Sequence, residues 1–286
     1  MERALLGLVG ARIGRSISPA MHEAAGRALG LDIRYHLVDS HVIGFGPESL
    51  PQLMNGLRLA GFTGVNVTFP FKEAVLGAID GVEGAARMVG AVNTVVMRGK
   101  HLVGHNTDYT GFLGGWKRTL GTRKPGIAAL IGAGGVGRAI AHALVTLGAR
   151  EVRVADTMQD RARILADALK ERYPTVRFVD APDAAAACAG ASGIVNATPV
   201  GMAAFPGCPV AESSIAGAEW VMDAVYTPLE TEFIAAGRRA GTAVMTGQEL
   251  AIGQAIDAFA LFFGRPAPER VLRDTFLAET GQAPGG

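Results

Sequence analysis

The sequence predicts an α/β protein of two modest domains or one large one, and three observations carry that expectation. Short apolar runs alternate with helix-like stretches and Gly-rich punctuation, the signature of strands followed by helices. The chain has 286 residues, against the roughly 150 typical of one domain. Midway along it, a Gly-x-Gly-x-x-Gly run joins a strand-like segment to a helix-like one.

The elements follow in order. Residues 4–10 suit a buried strand. Residues 19–29 read as a helix, with Met21, Ala24, Ala25 and Leu29 on one face and Pro19 in the first turn. Residues 34–38 and 64–68 read as strands, the latter ended by Phe69-Pro70. A strand over 94–97 turns at Arg98-Gly99-Lys100 into 101–104. The turn Lys124-Pro125-Gly126 precedes a strand at 127–131, a helix at 139–147 stopped by Gly148, and a strand at 151–155. Together these last elements have the size of a βαβ unit. The alanine-rich stretch 183–187 is expected to be helical, as is 249–263, where Leu250, Ile256, Phe259 and Phe263 form a stripe.

Composition narrows the function. With 49% hydrophobic and 19% charged residues, the chain can bury a core and does not resemble a disordered one. Lysine and arginine (27) nearly balance aspartate and glutamate (26), so no basic field is available for a nucleic-acid backbone. Two cysteines, Cys188 and Cys208, are too few for a disulfide framework and read as small buried residues. His22, His36, His41, His101, His105 and His142 have no metal-ligand spacing and read as structural or surface residues. The N-terminal apolar run is soon interrupted by Arg12 and Arg15, unlike a signal peptide. The uncharged span 184–211 is broken by Pro199, Pro206, Pro209 and four glycines, unlike a membrane helix. The expectation is a cytoplasmic protein with a small-molecule ligand, no nucleic acid, no membrane and no metal.

The central glycines point to that ligand. In Gly132-Ala133-Gly134-Gly135-Val136-Gly137, Gly132 permits a tight turn and Gly134 lets the backbone approach a pyrophosphate. Gly137 permits close helix–strand packing. The amides opening the helix face the anion. Asp156 closes the next strand nineteen residues after Gly137, where an acidic residue can bond an adenosine ribose diol. A 2′-phosphate at that place would be repelled by about 4 kcal/mol at roughly 4 Å and an effective dielectric of about 20. Half of that still leaves about tenfold or more in affinity. NAD is therefore expected over NADP, softened by Arg161 and Arg163 nearby. Without that context, the same residues describe a plain strand–helix turn beside a capping aspartate.

Further segments appear in a fixed order: Ser16-Ile17-Ser18-Pro19, Asn66-Val67-Thr68-Phe69-Pro70-Phe71-Lys72, Gly90-Ala91-Val92-Asn93-Thr94 and Gly104-His105-Asn106-Thr107-Asp108. After the glycine loop come Asn196-Ala197-Thr198-Pro199-Val200-Gly201-Met202, Asp223-Ala224-Val225-Tyr226-Thr227-Pro228, and the region of Gly247 and Gln254. In this order they resemble the shikimate dehydrogenase family, and more narrowly its NAD-dependent quinate/shikimate branch, over nearly the whole chain. The resemblance implies an N-terminal α/β substrate domain (1–110, completed by C-terminal helices from about 247 to 286) and a Rossmann-like NAD(P)-binding domain (111–246), with a cleft between them. It implies that Ser16 and Ser18 hold a substrate carboxylate, that Thr68, Asn93, Tyr226 and Gln254 contact carboxylate or ring hydroxyls, and that Lys72 and Asp108 are the catalytic pair. Thr198, Val225 and Gly247 join the glycine loop and Asp156 at the cofactor. Two positions depart from the commoner biosynthetic pattern: Arg15 stands where a histidine usually precedes the first serine, and Ala155-Asp156-Thr157 replaces Asn-Arg-Thr. The second departure agrees with the charge argument for NAD.

The implied chemistry is the oxidation of a ring alcohol on a cyclic polyol carboxylate. It needs a hydride acceptor, which a nicotinamide supplies, and a group that removes the hydroxyl proton. A free lysine, with a pKa near 10.4, is protonated at pH 7, which suits carbonyl reduction; oxidation draws on the deprotonated form and is expected to speed up at alkaline pH. Individually these residues have plainer readings. Lys72 alone reads as a surface lysine, Asn106-Thr107-Asp108 as a turn or cap, Ser16 and Ser18 as helix caps, Gln254 as an interface residue, and Tyr226 as packing. Their joint order favours the dehydrogenase. An aminoshikimate-type dehydrogenase and a non-catalytic NAD-binding sensor stand as alternatives, and both monomer and homodimer suit the sequence.

Overall fold

In a computed structural model of the chain, residues 2–281 are described; residues 282–286, the end of the returning C-terminal segment, lie outside them. The described chain divides into two compact units, one drawn from Met1–Gly111 and Ile252–Gly286, the other from Phe112–Ala251. No helix among the described residues is long and apolar enough to cross a membrane.

The first unit opens with β1 (Glu2–Gly10), α1 (Ser18–Ala28), β2 (Leu31–Asp39), α2 (Ser40–Ile43) and α3 (Leu50–Leu59). It continues with β3 (Phe62–Val67), β4 (Gly81–Val82), α4 (Ala85–Val89), β5 (Thr94–Arg98) and β6 (His101–His105). Its sheet runs β2-β1-β3-β5-β6-β4. β1 is parallel to β2 and β3, whereas β5 is antiparallel to β3 and β6. The Arg98–His101 hairpin, whose Gly99 has φ +62°, turns β5 into β6, so β5 runs against both its neighbours and the sheet is mixed. β2 starts three residues before the predicted strand, because Leu31, Ile33 and Tyr35 continue one buried face. Val9, Val65, Val67, Phe71, Val92 and Val95 form the centre of one core cluster.

α5 (Thr107–Thr119) leads into the second unit, which holds β7 (Ile127–Ile131), α6 (Gly135–Thr146), β8 (Glu151–Ala155), α7 (Gln159–Arg172), β9 (Arg177–Asp180) and α8 (Ala184–Cys188). β10 (Gly193–Asn196), β11 (Trp220–Asp223), α9 (Glu232–Arg239) and β12 (Ala243–Met245) complete its sheet. That sheet is wholly parallel in the order β12-β11-β10-β7-β8-β9. Read from β9, this is the doubly wound order 3-2-1-4-5-6, with its reversal between β7 and β10. Central strands of such sheets are buried on both faces, and Leu130, Ile194 and Val221 have no exposed surface. The predicted strands 127–131 and 151–155 match β7 and β8 at both ends, while α6 begins four residues before the predicted helix. α10 (Gly247–Phe263) and α11 (Glu269–Glu279) carry the chain back to the first unit, where α11 packs on α1. Cys188 is buried, as expected, but Cys208 only partly.

One packing constraint of the second unit is testable. Gly193 lies under the indole of Trp220, and a Cβ there would sit 1.8 Å from its Cε2. The indole cannot easily retreat: it is fully buried, donates from Nε1 to the Pro125 carbonyl (3.2 Å) and meets Trp116 edge-on at 4.8 Å. Gly193→Ala should lower the unfolding free energy by about 1–3 kcal/mol in urea titration. A change below about 0.5 kcal/mol would mean that this contact relaxes freely.

Candidate active site

The first unit gathers its polar residues at one edge of its sheet. The C-terminal ends of β1, β2, β3 and β6 and the start of β5 lie side by side there, as the registers Gly10↔Asp39, Val9↔Val67, Asn66↔Thr94 and Thr94↔His105 require. The loops leaving this edge carry Ser16 and Ser18, Thr68 and Lys72, Asn93, and Asp108.

Lys72, Asp108 and Gln254 form its centre. The Lys72 Nζ donates to Asp108 Oδ2 at 2.6 Å, and the Gln254 Nε2 donates to Oδ1 at 2.6 Å. The Asp108 side chain has no exposed surface and that of Lys72 only 11%. Each carboxylate oxygen thus has a donor, as burial of a charge demands. Local structure fixes all three groups. The Lys72 carbonyl accepts from Val92 N (2.7 Å), and neighbouring Phe71 is buried against Phe45. Asp108 occupies the first turn of α5, where the helix dipole favours an anion. Asn106 caps that turn through Tyr109 N (3.0 Å) and ties it to the Ala91 carbonyl (2.9 Å). The capping reading of the Asn106–Asp108 segment thus falls on Asn106, while Asp108 is held by Lys72 and Gln254. Gln254 reaches Asp108 because α10 meets α5 at paired glycines: a Cβ on Gly111 would lie 2.7 Å from Gln254 N, and one on Gly253 2.7 Å from the Gly111 Cα.

Asn93 is almost wholly buried and engaged. Its Oδ1 accepts from Thr107 N (2.7 Å) and Thr94 Oγ1 (3.1 Å), and its Nδ2 donates to Thr107 Oγ1 (3.0 Å). Its second Nδ2 hydrogen has no acceptor among the described residues. Thr68 is half-buried, with its methyl group directly over Gly10. Neither Ser16 nor Ser18 is the N-cap of α1, which is Ile17 without a side-chain bond; their hydroxyls pair with each other at 3.2 Å. Tyr226 belongs to the second unit, so Lys72, Asp108, Gln254 and Asn93 are assembled without it. Burial raises its hydroxyl pKa, which keeps it a neutral phenol. The His105 carbonyl accepts from Asn93 N, while its ring lies 3.9 Å from Glu83.

In the second unit the expected cofactor residues line the C-terminal ends of the parallel strands. Gly132 has φ +103°, and a Cβ there would strike the Ala197 carbonyl at 2.8 Å. A Cβ on Gly137 would lie 2.0 Å from the Gly132 oxygen, while one on Gly134 would meet nothing. The first and third glycines are thus required by the fold, and the second leaves open the approach to the amides of Gly135 and Val136 at the start of α6. A dinucleotide pyrophosphate fits that opening. Asp156 accepts from Ala133 N (2.8 Å) and Met158 N (2.9 Å), so its carboxylate stands beside the glycine loop. Thr198 donates to Asn196 Oδ1 (2.6 Å), and a Cβ on Gly247 would lie 2.2 Å from the Val225 oxygen.

Several supporting residues received no role from the sequence. Asn66 bonds Tyr35 Oη (2.9 Å) and Thr94 (3.0 Å); Tyr35 in turn stacks on His22, whose imidazole burial pushes down to about 4. Asp223 is fully buried and accepts from Asn196 Nδ2 (2.9 Å), Val225 N (2.9 Å) and Thr231 Oγ1 (2.6 Å), joining the Thr198 loop to the Val225 segment. Asn66, Thr107, Asn196 and Asp223 lie within recognised motifs, which was the available signal; Tyr35 is expected only to sit near Ser16 and Ser18, where small changes could admit or exclude quinate.

Comparison with known proteins places this geometry. A family model for the shikimate dehydrogenase substrate binding domain matches residues 8–95, and one for NADP oxidoreductase, coenzyme F420-dependent, matches residues 127–204. A shikimate dehydrogenase (NADP(+)) of Streptomyces avermitilis is 44% identical over 273 residues, 94% of each chain. A quinate/shikimate dehydrogenase (NAD(+)) of Corynebacterium efficiens is 42% identical over 280 residues, 97% of this chain and 99% of that one. The structure of quinate dehydrogenase from Corynebacterium glutamicum in complex with NAD is similar with a TM-score of 0.88 at 41% identity, over 97% of this chain and 100% of that one.

Asp223 gives this region a pH signature. Burial raises its carboxyl from 3.8 to about 6, against the three hydrogen bonds it accepts. A raised folded pKa means that the carboxyl's contribution to stability is complete below the ordinary value and is lost as the pH climbs through 6. In urea unfolding, the stability of the native protein relative to Asp223→Asn should therefore be greater at about pH 4.5 than at about pH 7.5. The opposite trend would show that the hydrogen bonds outweigh burial.

Proposed function

The chain belongs to the shikimate dehydrogenase family, and from that premise we propose that it oxidises shikimate to 3-dehydroshikimate, reversibly, with NAD. Quinate is proposed as a second substrate, oxidised to 3-dehydroquinate. The observation that carries the proposal is the buried Lys72–Asp108–Gln254 cluster at an edge rich in hydroxyl and amide groups.

When bound, NAD would supply the acceptor for the hydride that leaves the C3 carbon of the substrate. Lys72, in its deprotonated form, takes the proton of the C3 hydroxyl as the C3–H bond breaks and its hydride leaves for the nicotinamide; in the reverse direction the ammonium returns that proton to the carbonyl oxygen. Asp108 holds the Lys72 Nζ at a fixed place and, with Gln254, orders the donors and acceptors around the reacting hydroxyl. Ser16 and Ser18, with the mutually bonded hydroxyls described above, receive the carboxylate. Thr68, the spare Asn93 hydrogen and Tyr226 take ring hydroxyls or the carboxylate. Gly132, Ala133, Gly134, Gly135, Val136 and Gly137 cradle the pyrophosphate, Asp156 the adenosine ribose, and Thr198, Val225 and Gly247 the remaining cofactor surface.

Asp156 supports NAD over NADP by charge, and the NAD-using Corynebacterium relatives support the same reading. The NADP-named Streptomyces relative makes the cofactor the finer question. Initial rates with shikimate and quinate against each cofactor decide it. NAD reduction should exceed NADP reduction about tenfold or more, and Asp156→Ser should narrow that ratio. A native preference for NADP would overturn the cofactor assignment alone.

Lys72→Met should lower kcat by about 10²–10⁴, the usual worth of a positioned proton-transfer group, with NAD affinity by fluorescence titration unchanged. Undiminished turnover in that variant would remove Lys72 from the chemistry.

A further inference from the structure

The loop that carries Ser16 and Ser18 leaves β1 through a backbone conformation its sequence does not favour. Arg12 has φ +57° and is the non-glycine residue with positive φ among those described. L side chains avoid this region because Cβ crowds the following carbonyl, and such a residue persists only where its surroundings hold it.

The restraint is Asp39. Its Oδ1 accepts from Arg12 N at 2.8 Å and its Oδ2 from Ile13 N at 2.9 Å; Oδ1 also caps the following turn at His41 N, 3.0 Å. Asp39 ends β2 directly opposite Gly10, the last residue of β1, so the sheet register delivers its carboxylate to the loop. It is only 8% exposed, and these backbone donors hold its carboxyl below the ordinary range. The loop is then pinned at successive points. Ala11 N donates to the Phe69 carbonyl (2.9 Å), Ile13 is buried, and the Ile13 carbonyl accepts from Ser16 N (2.9 Å). Ser16 in turn bonds Ser18. A continuous set of bonds therefore runs from Asp39 to both serine hydroxyls.

We propose that Asp39 is a positioning residue for the substrate-carboxylate anchor: by holding Arg12 in its left-handed turn it sets the places of Ser16 and Ser18. The inference rests on the reading of those serines as that anchor. Asp39→Asn keeps the shape and one acceptor but turns an amide N–H toward a backbone N–H, so the loop loses its lock. Glycine at position 12 adopts positive φ freely and needs no lock.

The test is steady-state kinetics on native protein, D39N, R12G, R12A, D39N/R12G and D39N/R12A, with thermal melting as a folding control. D39N should raise the KM for shikimate about tenfold, equivalent to ~1.4 kcal/mol, while kcat and the KM for NAD stay within about twofold. R12G should recover about threefold or more of that loss in the D39N background, whereas R12A, which removes the same charge without freeing φ, should recover none. If D39N does not fold, D39S, which retains one acceptor, should raise the KM for shikimate about threefold with the same pattern of rescue. An unchanged KM for shikimate, equal rises in both KM values, or equal rescue by R12G and R12A would overturn the inference and leave Asp39 as a cap for residues 40–43. Absence of shikimate and quinate turnover in the native protein would instead remove the parent reading, and this inference with it.

Discussion

The buried carboxylate of Asp108 is the constraint around which the first unit is arranged. A charge with no access to water must find its partners within the protein, and here each oxygen has one donor. Lys72 comes from the loop after β3, Asp108 from the start of α5, and Gln254 from a helix, 146 positions after Asp108. Satisfying one carboxylate therefore fixes three separate segments. The glycines at 111 and 253 serve this arrangement, because larger residues would hold the helices apart and leave Oδ1 without its amide donor. What reads as close helix packing is a condition for an ordered lysine.

The second unit meets a different demand with different means. Its loops must present backbone amides to an anion, so side chains have to stay out of the way. Gly132 and Gly137 touch neighbouring backbone, and Gly134 faces open space. Asp156 is more constrained than a ribose partner alone would be. It already accepts from Ala133 and Met158, so replacing it disturbs the loop as well as the charge. A loss of NAD affinity on its substitution therefore mixes two effects, and the ratio between cofactors isolates the electrostatic one.

Legibility in the sequence followed the range of the interactions. β7 could be read to its ends because it is apolar and bounded by Gly126 and Gly132, and β8 because its valines alternate with charged residues between the Gly148 turn and Asp156. The glycine loop and Asp156 share one βαβ unit, so their spacing carries the signal. Lys72 and Asp108, separated by 36 positions, were legible as a pair only through the order of several motifs. Asp39 was not legible: its partners at Arg12 and Ile13 lie 27 and 26 positions away, and neither glycine nor asparagine marks the left-handed turn. Asp223 remained silent for the same reason, since its meaning depends on Asn196 in a neighbouring strand. Ser16 and Ser18 offered two readings; the N-cap position falls to Ile17, while the Ser16 hydroxyl accepts from the first N–H of α1.

Silent and legible residues alike share one physical solution. At the end of β2, Asp39 accepts the N–H groups of a loop leaving the adjacent strand; after β8, Asp156 does so for Ala133. Asp223 ends β11 and accepts from Val225 two residues on, and Asn93 opens β5 and accepts from Thr107. A strand end leaves backbone donors unpaired where the chain turns away, and a short acidic or amide side chain there accepts them without adding bulk. The loops that carry the candidate chemistry are thereby held by acceptors rooted in the sheets. The serine hydroxyls, the Lys72 ammonium and the second Asn93 amide hydrogen then add few bonds to those that keep the loops in place. That division explains why the residues expected to touch ligands are mostly donors, while those that support them are mostly acceptors.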